Sequence, residues 1–489
     1  MKKSLFPLLA VFIIVFTACE KMRGSGSYYT ADNWSNAGVV GNIDSIVENQ
    51  FIKTSDSAVT TFSVDADGGS YALAKRLLNS SSDLSSYAEA IRTEEFINYF
   101  TYDYPDPADD NTIAVNGEVS TCPWNAEHKL VRIGIKGKSI QKAQFPSANF
   151  VLLIDVSGSM SSDDKLELLK KGFITFAKQM RSSDKIAIVT YAGEEAVLLE
   201  STPGTQKNNI VSAIEKLGSG GSTNGAGGIQ KAYEIAKQNF IPGGNNRVIL
   251  GTDGDFNVGI TNTGDLIKLV EDNKTRGIYL TMLGVGLGNY NESMMEKIAN
   301  KGDGTYEYLG SEEELKKVFI DEYSKFVTVA KDVKVQVSFN KELVEAYRLI
   351  GYENRALANS DFEDDSKDAG EIGAGQTITA LYEIKPASGS NINFRSAPSF
   401  AISFRYKKAV NDPSTLIALD VYDNGAAFNN SSENMRFSAS LAGLGMYLRK
   451  SSFKGNLTIT NIKQWASNAI SFDPNGYRAN HIQLLNKVK

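Results

Sequence analysis

Three short stretches of the 489-residue chain carry side chains able to hold a hard divalent cation. Asn149 to Met160 reads NFVLLIDVSGSM, so a carboxylate and two hydroxyls (Asp155, Ser157 and Ser159) stand on alternate residues. Gly218 to Gly228 reads GSGGSTNGAGG and carries Thr223, and Arg247 to Asp255 reads RVILGTDGD and carries Asp253. The set is all oxygen, with neutral hydroxyls beside two carboxylates, which suits Mg²⁺, Mn²⁺ or Ca²⁺ rather than a soft metal. Taken alone, the first stretch has a plainer reading, in which Asp155 or a nearby serine caps the next helix.

The elements that must position these residues are legible in the hydrophobic pattern. Phe150 to Ile154 is an unbroken apolar run, too short for a typical helix, that suits a strand buried on both faces of a parallel sheet. Val248 to Leu250 is a second such run. Each ends in one of the acidic residues, at the carboxyl rim where open α/β sheets bind ligands. Between and beyond them, strands at 185–191, 196–199, 278–285 and 304–309 alternate with helices near 164–180, 205–217, 225–239, 263–275, 290–300 and 311–328.

The three-part pattern resembles the metal-ion-dependent adhesion site (MIDAS) of the von Willebrand factor type A (vWA) domain. All five family positions are filled, by Asp155, Ser157, Ser159, Thr223 and Asp253. The resemblance implies a doubly wound, mostly parallel six-stranded α/β sheet over 148–329. It also implies that the hydroxyls bind Mg²⁺ directly, with Asp155 and Asp253 acting directly or through water. An open coordination position would then attract an Asp or Glu carboxylate from a partner protein. Gly220, Gly221 and Gly225 give the Thr223 loop dihedral freedom, and in the family this permits more than one ligand arrangement.

The flanks extend the resemblance to a group of bacterial vWA lipoproteins with N- and C-terminal extensions, the YfbK-like group. Residues 59–147 combine a strand near Thr60, a helix YALAKRLLN, a second helix starting at the Ser86-x-x-Glu89 capping box, and strands 113–120 and 130–136. Asp65 and Asp67, in DADGGS, belong to a turn with a helix cap rather than to a calcium loop. Residues 330–489 open with alternating strands (333–339, 346–350, 378–384, 400–406, 416–422) and close with helices. The acidic run DFEDDSKD at 361–368 is expected to be a solvated turn. Because the vWA termini lie close together, opposite the metal, the flanking strands are expected to form one composite β-sandwich with the vWA domain inserted in it.

At the N-terminus, Lys2 and Lys3 precede an apolar run from Leu5 to Phe16 and then Thr17-Ala18-Cys19. That pattern is a signal peptide over 1–18 resembling a bacterial lipobox, with lipidation at Cys19, although Phe16 departs from the usual Leu, Val or Ile. Residues 19–58 are expected to be a tether, and the location to be the cell envelope, at the outer membrane, facing periplasm or exterior. Removing 1–18 takes two lysines and no acid, so the net charge of -6 becomes -8. With no basic block, nucleic-acid binding has no support. Cys122 then has no partner in the chain and is expected to be a small buried apolar residue.

The expectation is therefore partner binding without catalysis. The glycine loop lacks the lysine of a P-loop, and His128 and His481, the only histidines, lie outside 148–329 and are expected to be surface or partly packed. Two alternatives stand beside it. One is a structural envelope lipoprotein whose metal only stabilises the sheet edge, and the other is metal-assisted hydrolysis, which lacks a general base.

Overall fold

The computed structural model describes residues 45–488, except 65–66, 81, 83, 86, 109, 193–194, 221–226, 255–262, 288–290, 389–396 and 410–411. The signal peptide, Cys19 and the first part of the tether lie outside the described residues.

The centre is a six-stranded sheet in the order Tyr306–Leu309, Ile278–Val285, Asn245–Thr252, Ala148–Asp155, Lys185–Tyr191, Glu195–Pro203. All neighbours are parallel except the last pair, a hairpin. Ala148–Asp155 is buried along its whole length because helices cover both faces of the sheet. On one face Leu169, Phe173, Phe176 and Ala177 of helix Leu168–Gln179 form the apolar side, with the Phe150 and Phe176 rings 4.9 Å apart. On the other face lie Ile229, Ala232, Tyr233 and Ala236 of helix Gly228–Gln238. Removing either core phenylalanine would cost about 3–5 kcal/mol.

The flanking segments build two shared antiparallel sheets, as expected. One runs Ile52–Lys53, Val344–Ile350, Thr377–Pro386, Lys129–Gly137, Ile113–Thr121; the other runs Ala356–Leu357, Val59–Ser63, Thr328–Phe339, Phe400–Lys407, Thr415–Val421. Strands from before the central domain therefore pair directly with strands from after it, Lys129–Gly137 on Thr377–Pro386 and Val59–Ser63 on Thr328–Phe339. Their inward residues, among them Phe62, Ile133, Val335, Tyr382 and Phe404, share one apolar core. The chain leaves the sandwich, builds the α/β domain and returns through Thr328, so the domain is an insertion.

A second apolar core joins the flanking helices to one face of the central sheet, including Tyr71, Phe96, Leu153, Tyr306, Leu441 and Ile462. Helix Gly69–Asn79 packs against the edge strand Tyr306–Leu309 at Gly69, where a Cβ would run into the Tyr306 ring. Helices Glu433–Leu448, Ile459–Ser467 and Tyr477–Leu485 close this side, the first capped by Ser432, whose Oγ accepts from the Met435 amide at 3.1 Å. Among the described residues no helix is long and apolar enough to cross a membrane.

Several local expectations are corrected, while those for 361–368, Cys122 and His128 hold. Residues 45–58 are not tether: Ile52–Lys53 pairs with Tyr347 and Ala346, and the Asn49 amide donates to Gly351 O at 2.8 Å. The helix expected from Ser86 is instead a 3₁₀ turn, Ala88–Ala90, and a separate helix, Thr93–Asn98, because Ile91 and Arg92 are extended. That break delivers Arg92 to a buried acidic cluster, where its guanidinium meets Glu296 at 2.8 Å, Glu95 at 3.3 Å and Glu292 at 3.6 Å. Burial pushes the Glu292 carboxyl up to about 7. The helix expected to reach 328 ends in a π turn at Asp321, and the chain enters a strand at Thr328. Asp67 is buried and accepts from the Tyr306 amide at 3.3 Å, while Gly68 rather than an aspartate begins the helix; Asp65 lies outside the described residues. The 361–368 run is a mostly exposed turn, with Asp368 paired to Lys274 at 2.6 Å. Cys122 is buried and free. His128 is partly packed, but His481 is fully buried, its Nδ1 2.8 Å from the Tyr71 hydroxyl.

Candidate metal centre

Asp155 ends its strand level with Tyr191 on the neighbouring one, so the parallel register alone brings their side chains together. The Tyr191 hydroxyl donates to Asp155 Oδ2 at 3.2 Å, and the Thr252 hydroxyl, from the strand on the other side, donates to the same oxygen at 3.1 Å. Asp155 Oδ1 accepts from the Ser157 amide at 2.9 Å. Three donors from three elements thus fix this carboxylate, although it is 1% exposed. Burial raises its pKa, and the nearby charge of Asp253 adds to the rise.

The capping explanation fails on geometry. The turn after the strand, Gly158–Ser161, begins at Ser157 with no side-chain cap, and the turn after that begins at Ser162 likewise. Instead the Ser157 and Ser159 hydroxyls face each other at 3.0 Å. Two oxygens on one edge of an Mg²⁺ octahedron with bonds of about 2.0–2.1 Å are ~2.9 Å apart, so the serine pair fits that ion. Asp253 follows Thr252 at the end of the next strand and is 2% exposed. Among the described residues no group of three or more His, Cys, Asp or Glu could hold a metal, so the donor set depends on hydroxyls. The residues present therefore fit a hard cation and offer nothing to a soft one.

Thr223, with Gly221 and Gly225, lies outside the described residues. The ends of its loop flank the site: the Gly220 amide donates to Val156 O at 2.9 Å, and Gly228 packs so tightly on Tyr191 that a Cβ would lie 2.8 Å from the tyrosine Cβ.

Sequence reasoning missed three residues here. Tyr191 and Thr252 hold Asp155, and strand register is the signal that would have found them. Lys165 is the third. Its ammonium donates to Asp253 Oδ2 at 2.8 Å and to Ser159 O at 2.9 Å. Its stem crosses Gly286, whose φ of +79° and lack of a side chain leave room for it.

With this geometry in hand, comparison with known proteins gives consistent matches. Residues 150–255 match the family model described as von Willebrand factor type A domain, 41–132 match one described as von Willebrand factor, and 324–489 match one described as Uncharacterized protein YfbK, C-terminal. Uncharacterized protein YfbK of Escherichia coli (strain K12) is 39% identical over 461 residues, covering 90% of this chain and 79% of its own. Among solved structures, a von Willebrand factor type A protein from Catenulispora acidiphila aligns with TM-score 0.43 at 15% identity, over 78% of this chain and 91% of its own. The ArnB paralog VWA2 from Sulfolobus acidocaldarius aligns with TM-score 0.39 at 16% identity, over 77% and 96%. A vWA domain implies a protein-interaction or metal-dependent role, and nothing in these matches indicates catalysis. On that identity and coverage, the chain belongs to the YfbK family of vWA-domain proteins.

Proposed function

We propose that this protein is an envelope lipoprotein, anchored through Cys19, that binds a partner protein at a divalent cation held by Asp155, Ser157, Ser159, Thr223 and Asp253. The observation that carries this reading is the serine pair, two hydroxyls 3.0 Å apart beside a carboxylate fixed by three donors. When bound, Mg²⁺ (or Mn²⁺ or Ca²⁺) supplies an open coordination position for an Asp or Glu of the partner. This chain's part is to hold the hydroxyls still and to keep its own carboxylates from saturating the ion. Tyr191 and Thr252 do this for Asp155 by occupying Oδ2.

The test is calorimetric titration of Mg²⁺ and Mn²⁺ into the purified protein and into its Asp155→Ala/Asp253→Ala variant, followed by pull-down from envelope extract with and without EDTA. Saturable binding in wild type alone, with a partner released by EDTA, supports the reading. A partner retained equally in EDTA and by the Ser157→Ala/Ser159→Ala variant defeats it and favours the structural lipoprotein. Metal-dependent hydrolysis remains without an identified general base among the described residues of the site.

A further inference from the structure

Lys165 follows Ser159 by six positions, and its ammonium bridges the two halves of the candidate site, Ser159 O at 2.9 Å and Asp253 Oδ2 at 2.8 Å. The pair is sheltered, with side-chain exposures of 13% for Lys165 and 1% for Asp253. Its position is built rather than incidental. Gly286, at φ +79°, provides the shelf for the lysine stem, and any Cβ there would collide with it. The Gly286 carbonyl is in turn held by the Tyr308 hydroxyl at 2.8 Å. A fixed positive charge therefore occupies one oxygen of a carboxylate that a divalent cation would need.

We propose that Lys165 is an internal counter-cation that lowers the divalent-cation affinity of this site. It neutralises Asp253 in the metal-free protein and keeps a unit positive charge beside the bound ion. This rests on the reading of the site as a divalent-cation centre. Two effects act in the same direction. The ammonium must surrender or share Asp253 Oδ2 on metal binding, and like charges held a few ångströms apart in a partly desolvated pocket repel. The retained charge has a second consequence: it reinforces the attraction of the site for an anionic partner group, such as a carboxylate. Cation affinity is thereby exchanged for partner selectivity.

The experiment titrates MgCl₂ and MnCl₂ calorimetrically into wild type, Lys165→Met, Lys165→Gln and Lys165→Arg, each checked for folding by circular dichroism. Lys165→Met and Lys165→Gln should bind each metal at least tenfold more tightly than wild type, a change of ~1.4 kcal/mol, and Lys165→Arg within about threefold of it. Melting in EDTA gives an independent readout. There Lys165→Met should be less stable than wild type, because the ammonium beside Asp253 is then gone, and saturating Mg²⁺ should close the gap. Equal or weaker metal binding by folded Met and Gln variants overturns the proposal, since Lys165 would then only position Asp253. Absence of binding in wild type and all variants overturns the site reading itself, a result distinct from the first.

Discussion

Arg76 on the first helix of the flanking region forms an ion pair with Asp164, on the loop that joins Ser159 to Lys165. The same guanidinium donates to the Tyr308 hydroxyl at 2.9 Å, and that hydroxyl donates to Gly286 O. The region outside the inserted domain thus braces the segment that links the site's serine pair to Lys165, from a residue nearly 90 positions earlier in the chain.

Removing this brace should cost binding more than folding. The pair is partly exposed, 17% for Arg76 and 41% for Asp164, so it is worth at most ~1 kcal/mol, or about fivefold in affinity. Arg76→Met should weaken Mg²⁺ binding by about two- to fivefold while melting within a few degrees of wild type. Calorimetry beside a thermal melt checks both. Unchanged affinity would mean that the serine loop is held from within the domain alone.

Thr252 has a different part, because its hydroxyl both donates to Asp155 Oδ2 and accepts from the Gly254 amide at 3.2 Å. Thr252→Val keeps the shape and removes both bonds in a fully buried setting. Leaving one buried polar group unpaired costs about 1–3 kcal/mol, so denaturant unfolding should show a loss in that range. Tyr191→Phe removes only the donor to Asp155 and should cost less. If Tyr191→Phe were the more damaging, the Gly254 amide bond to Thr252 would not be the added contribution argued for it.

Arg92 offers a contrast between surface and interior charge. It is 3% exposed and faces Glu95, Glu292 and Glu296, with Arg355 also reaching Glu296 at 3.4 Å. Arg92→Met leaves buried carboxylates without their main counter-charge and should destabilise the protein by about 3–5 kcal/mol at neutral pH. The loss should grow as the pH is raised above about 7, because burial pushes the Glu292 carboxyl up and Arg92 is what allows it to ionise near that value. A loss independent of pH would place the damage in packing rather than charge.

The central domain was legible because its signals are local. Phe150 to Ile154 is too short and too uniformly apolar for a typical helix and suits a strand buried on both faces, and the acidic and hydroxyl residues that end it announce themselves by spacing. Lys165 did not, since a lysine six residues past a serine has no meaning until Gly286, more than a hundred residues later, gives it a shelf. Tyr191 likewise looked like the end of a strand until the register set it against Asp155. The misplaced helix at 86–100 has the same origin. Its periodicity was adequate, but carboxylates roughly two hundred residues away reward an extended Arg92. The tether boundary failed for a smaller reason, as two residues of edge strand, Ile52 and Lys53, are too few to leave a pattern.

His481 provides a measurement on the C-terminal helices themselves. Its ring is 1% exposed, bonded to the Tyr71 hydroxyl and surrounded by the Phe100 and Phe437 rings at 5.4 and 5.9 Å. Burial, with the charge of Lys75 adding, pushes its pKa down to about 3. An unfolded histidine titrates near 6.5, so between those values the unfolded chain binds the extra proton and the folded chain does not. Its contribution is therefore intact above pH ~6.5 and is lost progressively as the pH falls toward 3, at about 1.4 kcal/mol per unit. Glu292 acts in the opposite sense over part of this window, so the wild-type profile mixes the two. Comparing wild type with His481→Gln, which keeps an acceptor for Tyr71, isolates the histidine. The stability of wild type relative to the variant should fall steadily from pH 6.5 to 4. A difference that stays constant over that range would mean that the ring is protonated in place, and that the C-terminal helices open to admit the proton before the rest of the fold gives way.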